Sequence, residues 1–297
     1  MTSDAGTWRS EALGESATLH LRQGPLRYHE AGSGPPVVFI HGVLVNANLW
    51  RKVVAELPTD LRCVALDLPL GAHLAPMPPD ADLTPPAVAD LIADAIEELG
   101  LDDVTLVGND TGGALCQLVV TRRPERIGRL VLTSCDAFDN FPPKVMRPMM
   151  PVLTLPGALR VLYAPLRLAA LRRRMLTMIR ATKRPVEPEA VDSYTFPGLR
   201  SAAVRRDTRK LLAGADRRQT LEAGERLRGF DRPALIAWSR EDRFFPTRYA
   251  SRLAQALPDS RLEWIEDSYT FSPEDQPARV AELIAAFVRE PAGTAAR

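Results

Sequence analysis

The chain has 297 residues, of which 45% are apolar and 25% charged, with 38 Lys plus Arg against 37 Asp plus Glu. That is material for a large core, and a net charge of +1 gives the molecule as a whole no electrostatic pull toward nucleic acid or a membrane. The opening MTSDAGTWRSEALGES has no basic stretch followed by an apolar one, and no apolar run reaches the roughly eighteen residues of a membrane span, so the expectation is a cytoplasmic protein.

In chain order, ATLHLRQG and LRYHEAG read as an antiparallel hairpin. PPVVFIHG is a short buried strand, followed by a helix around Asn46–Leu57 and the strand LRCVALDLP. A loop rich in Pro and Asp runs to Thr84, then a helix with apolar spacing covers Pro86–Leu99. The strand DVTLVGND, a helix from Gly112 to about Arg123 and the strand IGRLVLTSCD complete the first part. From about Ala137 to Gly229 only helix-like runs occur, the longest, ALRVLYAPLRLAALRRRMLTMIRA, containing the helix breaker Pro165. Alternation then resumes with PALIAWSRED, TRYASRLAQAL, SRLEWIEDS and QPARVAELIAAFVRE.

Short continuous apolar strands alternating with helices predict an α/β fold, with a mostly parallel sheet covered on both faces. The simplest division is a first core part, residues 1–136, a helical cap, 137–229, inserted after the sixth strand, and a second core part, 230–297. Charge separates them: residues 141–230 hold 19 Lys plus Arg against seven Asp plus Glu, leaving 19 and 30 for the core. The plain reading is solvated helix faces; the sharper one is a basic cap that attracts an acidic substrate or carrier protein. Cys63, Cys116 and Cys135 lie in apolar runs without metal-ligand spacing and read as core residues. No metal or organic cofactor is expected.

The stretch LVGNDTGGAL places Asp110 at a sharp strand-to-helix turn between small residues, Gly108 on one side and Gly112 and Gly113 on the other. A tight turn with a helix packed behind it requires that smallness, and the pattern is that of a nucleophile elbow. With FIHGVLVNANLW and IAWSREDRFFP in the same order, the chain resembles the α/β-hydrolase superfamily, specifically its aspartate-nucleophile branch of haloalkane dehalogenases and epoxide hydrolases, over nearly all of residues 18–290. The resemblance implies an eight-stranded sheet, a small, largely apolar substrate, Asp110 as nucleophile, and Asp242 (or its neighbour Glu241) as catalytic acid. It also implies an oxyanion pocket from the N–H groups of Val43 and Thr111, with His41 as a structural loop residue.

Departures accompany the resemblance. Where the family carries its catalytic histidine, the loop IEDSYTFSPEDQPARV offers Thr270, and no histidine follows His73. Threonine is not basic at neutral pH and cannot activate the water that would hydrolyse an alkyl-enzyme ester. His20 and His29 fall in the N-terminal hairpin, far from the site in this fold; His73, just beyond the fourth strand, is the candidate substitute base. Thr111 and Val43 supply no side-chain N–H for a halide, which argues against dehalogenation. Tyr163 and Tyr194 are the cap tyrosines available to activate an epoxide. Three functions follow: a hydrolase completed by His73 or another base, a non-hydrolytic enzyme (isomerase, lyase or epoxide-opening cyclase) using Asp110 as general acid or base, or an inactive binding protein.

Overall fold

The strand-like runs assemble into one eight-stranded sheet in the computed structural model, which describes residues 6–290. Residues 1–5 and 291–297, the beginning of the opening segment read above and the end of the second core part, lie outside the described residues. The strands are β1 (Glu15–Leu21), β2 (Gly24–Ala31), β3 (Pro36–Ile40), β4 (Arg62–Asp67), β5 (Val104–Asp110), β6 (Ile127–Cys135), β7 (Ala234–Ser239) and β8 (Ser260–Ile265). Their order is β1-β2-β4-β3-β5-β6-β7-β8; β2 pairs antiparallel with β1 and β4, and every other pair is parallel.

Parallel strands bury both faces, and the period-two alternation of side chains divides one core into two layers. Val38, Leu106 and Leu130 point to one face, where helices α2 (Pro85–Glu98) and α3 (Thr111–Arg122) bring Val88, Ile92, Leu115 and Val119. Val37, Val107 and Val131 point to the other, against Val53 of α1 (Arg51–Glu56) and Ile284 and Phe287 of the C-terminal helix Pro277–Arg289. Each such fully buried aliphatic side chain contributes about 2 kcal/mol.

Between β6 and β7 the described residues form only helices and turns: α4 (Met150–Leu153), α5 (Ala158–Tyr163), α6 (Ala169–Met178), α7 (Pro188–Arg200), α8 (Ala202–Gly214) and α9 (Arg217–Arg226). Pro165 falls in a 3-10 turn, Ala164–Arg167, that separates α5 from α6, as its missing N–H dictates. The insertion is fastened to the core by polar contacts. Asn48 Nδ2 donates to Ser193 Oγ at 2.8 Å, and buried Arg51 meets Glu274 at 2.5 Å while also pairing with Glu187. Asp207 of α8 accepts from the Met77 N–H at 2.9 Å, so the Pro-rich loop after β4 is held by the insertion.

Candidate active site

β5 ends at Asp110 and α3 begins at Thr111, so the chain reverses with no intervening loop. The reversal leaves Asp110 at φ 55°, ψ −131°, a conformation that non-glycine residues hold only where their surroundings enforce it. The enforcement is steric. A Cβ on Gly112 would stand 2.4 Å from the Ile40 carbonyl oxygen, and one on Gly42 2.1 Å from Asp110 Oδ2. The small residues therefore let β3, the turn and the Asp110 carboxylate approach one another closely.

The Asp110 carboxylate is cradled by main-chain N–H groups. Val43 N–H donates to Oδ2 at 3.2 Å, and the N–H of Thr111, at the start of α3, is the second donor. Val43 and Thr111, the two residues proposed from sequence for an oxyanion pocket, thus both point their amides at Asp110. Burial nevertheless dominates and raises the Asp110 pKa to about 7; the two N–H groups pull it down, and the nearby charge of Asp242 pushes it up further.

Asp242 follows β7. Its Oδ1 accepts from Phe244 N–H at 2.7 Å, Phe245 N–H at 2.8 Å and Thr270 Oγ1 at 3.0 Å, while Oδ2 is enclosed without a partner. Burial lifts this carboxyl to about 6 against those donors. Glu241 turns the other way and pairs with Lys183 at 2.5 Å. Thr270 is held in place from below, its carbonyl accepting from Asn109 Nδ2 at 2.9 Å, so the residue before Asp110 ties the Thr270 loop to the turn.

A third carboxyl completes the site and was not singled out from sequence. Asp136, one residue past β6, donates its N–H to the Asp110 carbonyl at 3.3 Å and accepts from Thr111 Oγ1 at 3.2 Å. It is fully buried and its Oδ1 has no partner. Burial first, then the Asp110 charge, raises its pKa well above the usual carboxylate range. Its position at the carboxyl end of a central parallel strand was the available signal, since ligands of open α/β sheets bind beyond those ends.

The remaining sequence candidates lie elsewhere. His73 donates or accepts at neither ring nitrogen toward Asp110: Nδ1 accepts from Gly71 N–H at 3.4 Å and Nε2 meets Asp207 of α8 at 3.2 Å. His41 Nε2 accepts from Leu68 N–H at 2.9 Å and Nδ1 donates to the Gly42 carbonyl at 2.8 Å. Burial holds the His41 pKa down at about 4, so it is a neutral brace beneath the loop that carries Val43. Tyr194 donates to Glu274 at 3.0 Å in the cluster around Arg51, and Tyr163 packs in the insertion with Leu153 and Leu159, its hydroxyl 3.4 Å from the Gly71 carbonyl. Neither hydroxyl is hydrogen-bonded to Asp110. Among the described residues no cluster of His, Cys, Asp and Glu has metal-binding geometry.

The sequence matches the α/β-hydrolase fold family over residues 35–277. The chain belongs to that family. It is similar to haloalkane dehalogenase 2 of Mycobacterium tuberculosis, 28% identical over 280 residues, 91% of this chain and 93% of that one. It is also similar to a 2-hydroxymuconate semialdehyde hydrolase of a Pseudomonas strain, 26% identical over 270 residues, 88% and 89% of the two chains. Among solved structures, a haloalkane dehalogenase from Bradyrhizobium elkani superposes with a TM-score of 0.75 at 20% identity, over 92% of this chain and 98% of that one. This α/β-hydrolase is an enzyme, a hydrolase by family, with an eight-stranded, mostly parallel sheet. Its elbow residue is a carboxylate among carboxyls.

Proposed function

We propose that this α/β-hydrolase transforms a small, largely apolar molecule at Asp110, and that Asp110 works there as a general acid or base instead of forming an ester. The observation that carries this reading is the company Asp110 keeps. It has a pKa of about 7, beside an Asp136 whose burial raises it well above the usual carboxylate range and an Asp242 of about 6, with no imidazole bonded to any of the three. Carboxyls whose environments push their pKa values apart divide naturally into acid and base. A base near 7 and a second carboxyl beside it that burial pushes toward its neutral form suit an isomerisation, an elimination or an internal epoxide opening. In the last of these Asp110 takes the proton of the attacking hydroxyl and Asp136 gives one to the opening oxygen, and the product keeps the substrate's mass. Thr270 stands where the family resemblance places a histidine, and such a reaction does not need one.

The Val43 and Thr111 amides support a second reading. With one oxygen held by those donors, the other is free to attack carbon, as in an ester-forming route, and Asp242 would then have to activate water in place of imidazole.

The test is turnover of a panel of hydroxy-epoxides, simple epoxides, alkyl halides and small esters, with products weighed by mass spectrometry. The proposal expects a product of unchanged mass, lost in Asp110→Asn. Activity that survives Asp110→Asn would overturn it, and a product heavier by one water, from an enzyme that passes through an Asp110 adduct, would favour the second reading.

A further inference from the structure

The exposed large apolar side chains of the described residues fall in one place. Val145, Met149, Val152, Leu155, Val161, Leu162, Leu168, Leu171, Met178 and Ile179 all lie within residues 145–179, and seven of them are at least half exposed. Elsewhere in the described chain Leu, Val, Ile and Met are buried or packed against the core. Their spacing follows helical turns: Val145, Met149 and Val152 recur at intervals of four and three, as do Leu168, Leu171 and Met178 at three and seven. The elements that bear them touch in sequence, α4 with α5, α5 with the 3-10 turn Ala164–Arg167, and that turn with α6.

Charge on this face has a single sign. Residues 141–186 contain ten Lys plus Arg and no Asp or Glu. Four of the ten are paired with carboxylates from outside the segment: Lys144 with Asp139, Arg172 with Asp192, Lys183 with Glu241, and Arg184 with Asp267. Arg147, Arg160, Arg167, Arg173, Arg174 and Arg180 form no ion pair with the described residues. The molecule's near-zero net charge conceals this because the core is acidic, so the expectation of no membrane partner, drawn from the whole-chain average, does not extend to this face.

We propose that this face of the insertion docks on an anionic lipid bilayer, its apolar side chains entering the headgroup boundary and its arginines lying against lipid phosphates. Helices lying in an interface carry this combination of exposed apolar residues and unpaired basic ones. The attraction amounts to roughly fivefold in partition for each basic residue at an anionic surface. Two observations favour lipid over the alternatives. A second copy of the chain would bring like charge onto like charge, and among the described residues no single helix is long and apolar enough to cross a membrane, the one passing combination there being two short helices bent at 109°. The docked protein therefore lies on the surface. A cleft of about 490 Å³ opens beside the patch, walled by Met150, Pro151 and Thr154 next to exposed Met149 and Val152. Its Arg147 is close enough for its charge to act on Asp136.

Flotation of the full chain with vesicles of phosphatidylcholine alone, or of equal parts phosphatidylcholine and phosphatidylglycerol, tests the proposal. Binding is expected only to the anionic vesicles, weakening steeply with added salt. The variant Val152→Ser/Val161→Ser/Leu168→Ser, and separately Arg160→Gln/Arg167→Gln/Arg173→Gln/Arg174→Gln, should each lower the partition coefficient at least tenfold. All these positions are exposed or unpaired, so circular dichroism and melting should match the parent chain. Equal binding to both vesicle types, or binding unaffected by either variant, overturns the proposal. So does a dimer in sedimentation without lipid that the same variants abolish. None of these positions touches Asp110, so the outcome is independent of the reaction proposed above.

Discussion

Asp110 is raised from an ordinary 3.8 to about 7 by burial, and that shift is a statement about stability. An acid whose folded pKa exceeds its unfolded one binds more protons when folded, so its contribution to stability falls as pH rises between the two values. Over the whole window the loss is about 4 kcal/mol, and between about pH 5 and about pH 8 it is about 3 kcal/mol. Asp110→Asn removes the titration while keeping an oxygen to accept from the Val43 and Thr111 amides, so no buried donor is orphaned. Urea unfolding of both proteins at the two pH values isolates the effect, because His41 and His29, whose depressed pKa values of about 4 give the opposite trend below about pH 6.5, contribute equally to each. The expected result is a variant more stable than the parent at both values, its advantage growing by about 3 kcal/mol from the lower pH to the higher one. A difference independent of pH would refute the reasoning, since Asp110 would then be an ordinary carboxylate.

Asp242→Asn removes a charge that raises Asp110, so the Asp110 midpoint in a pH–rate profile should move down by roughly half to one pH unit, with an upward or null shift counting against the coupling. Glu274→Ala leaves buried Arg51 with only Glu187 as its charged partner and should lower unfolding stability by about 3 kcal/mol in denaturant titrations; a loss under about 1 kcal/mol would mean that the cluster is not braced as described. Tyr194→Phe loses the hydrogen bond to Glu274 and the longer one, 3.4 Å, from Arg51, so it should cost about 1 kcal/mol of stability and leave kcat unchanged. A large fall in kcat would place that hydroxyl at the reaction after all.

The turn at Asp110 was legible because its requirements are local: small residues at fixed offsets, and apolar strand and helix runs on either side. The alternation of strands and helices and the Pro165 break were legible for the same reason. What could not be read is set by contacts between distant segments. His73 looked available as a base, but its partner Asp207 is 134 residues away on α8. Tyr194 is claimed by Glu274, 80 residues on. Asp136 looks in sequence like any acidic residue ending an apolar strand, and only the register of β5 against β6, which pairs Asp110 with Cys135, brings it to Asp110. The basic insertion was visible as a count of charges, whereas its exposed apolar partners required knowing which face the core leaves uncovered.

The measurement closest to the centre of the account follows the Asp110 carboxylate through catalysis in water enriched in 18O. Once a turned-over compound is in hand, the enzyme is taken through many cycles, digested, and the peptide bearing Asp110 weighed. Acid–base catalysis predicts a peptide of unaltered mass after many turnovers. Incorporation of 18O into Asp110 would contradict it, because the label enters that carboxylate only when water cleaves an ester formed on it.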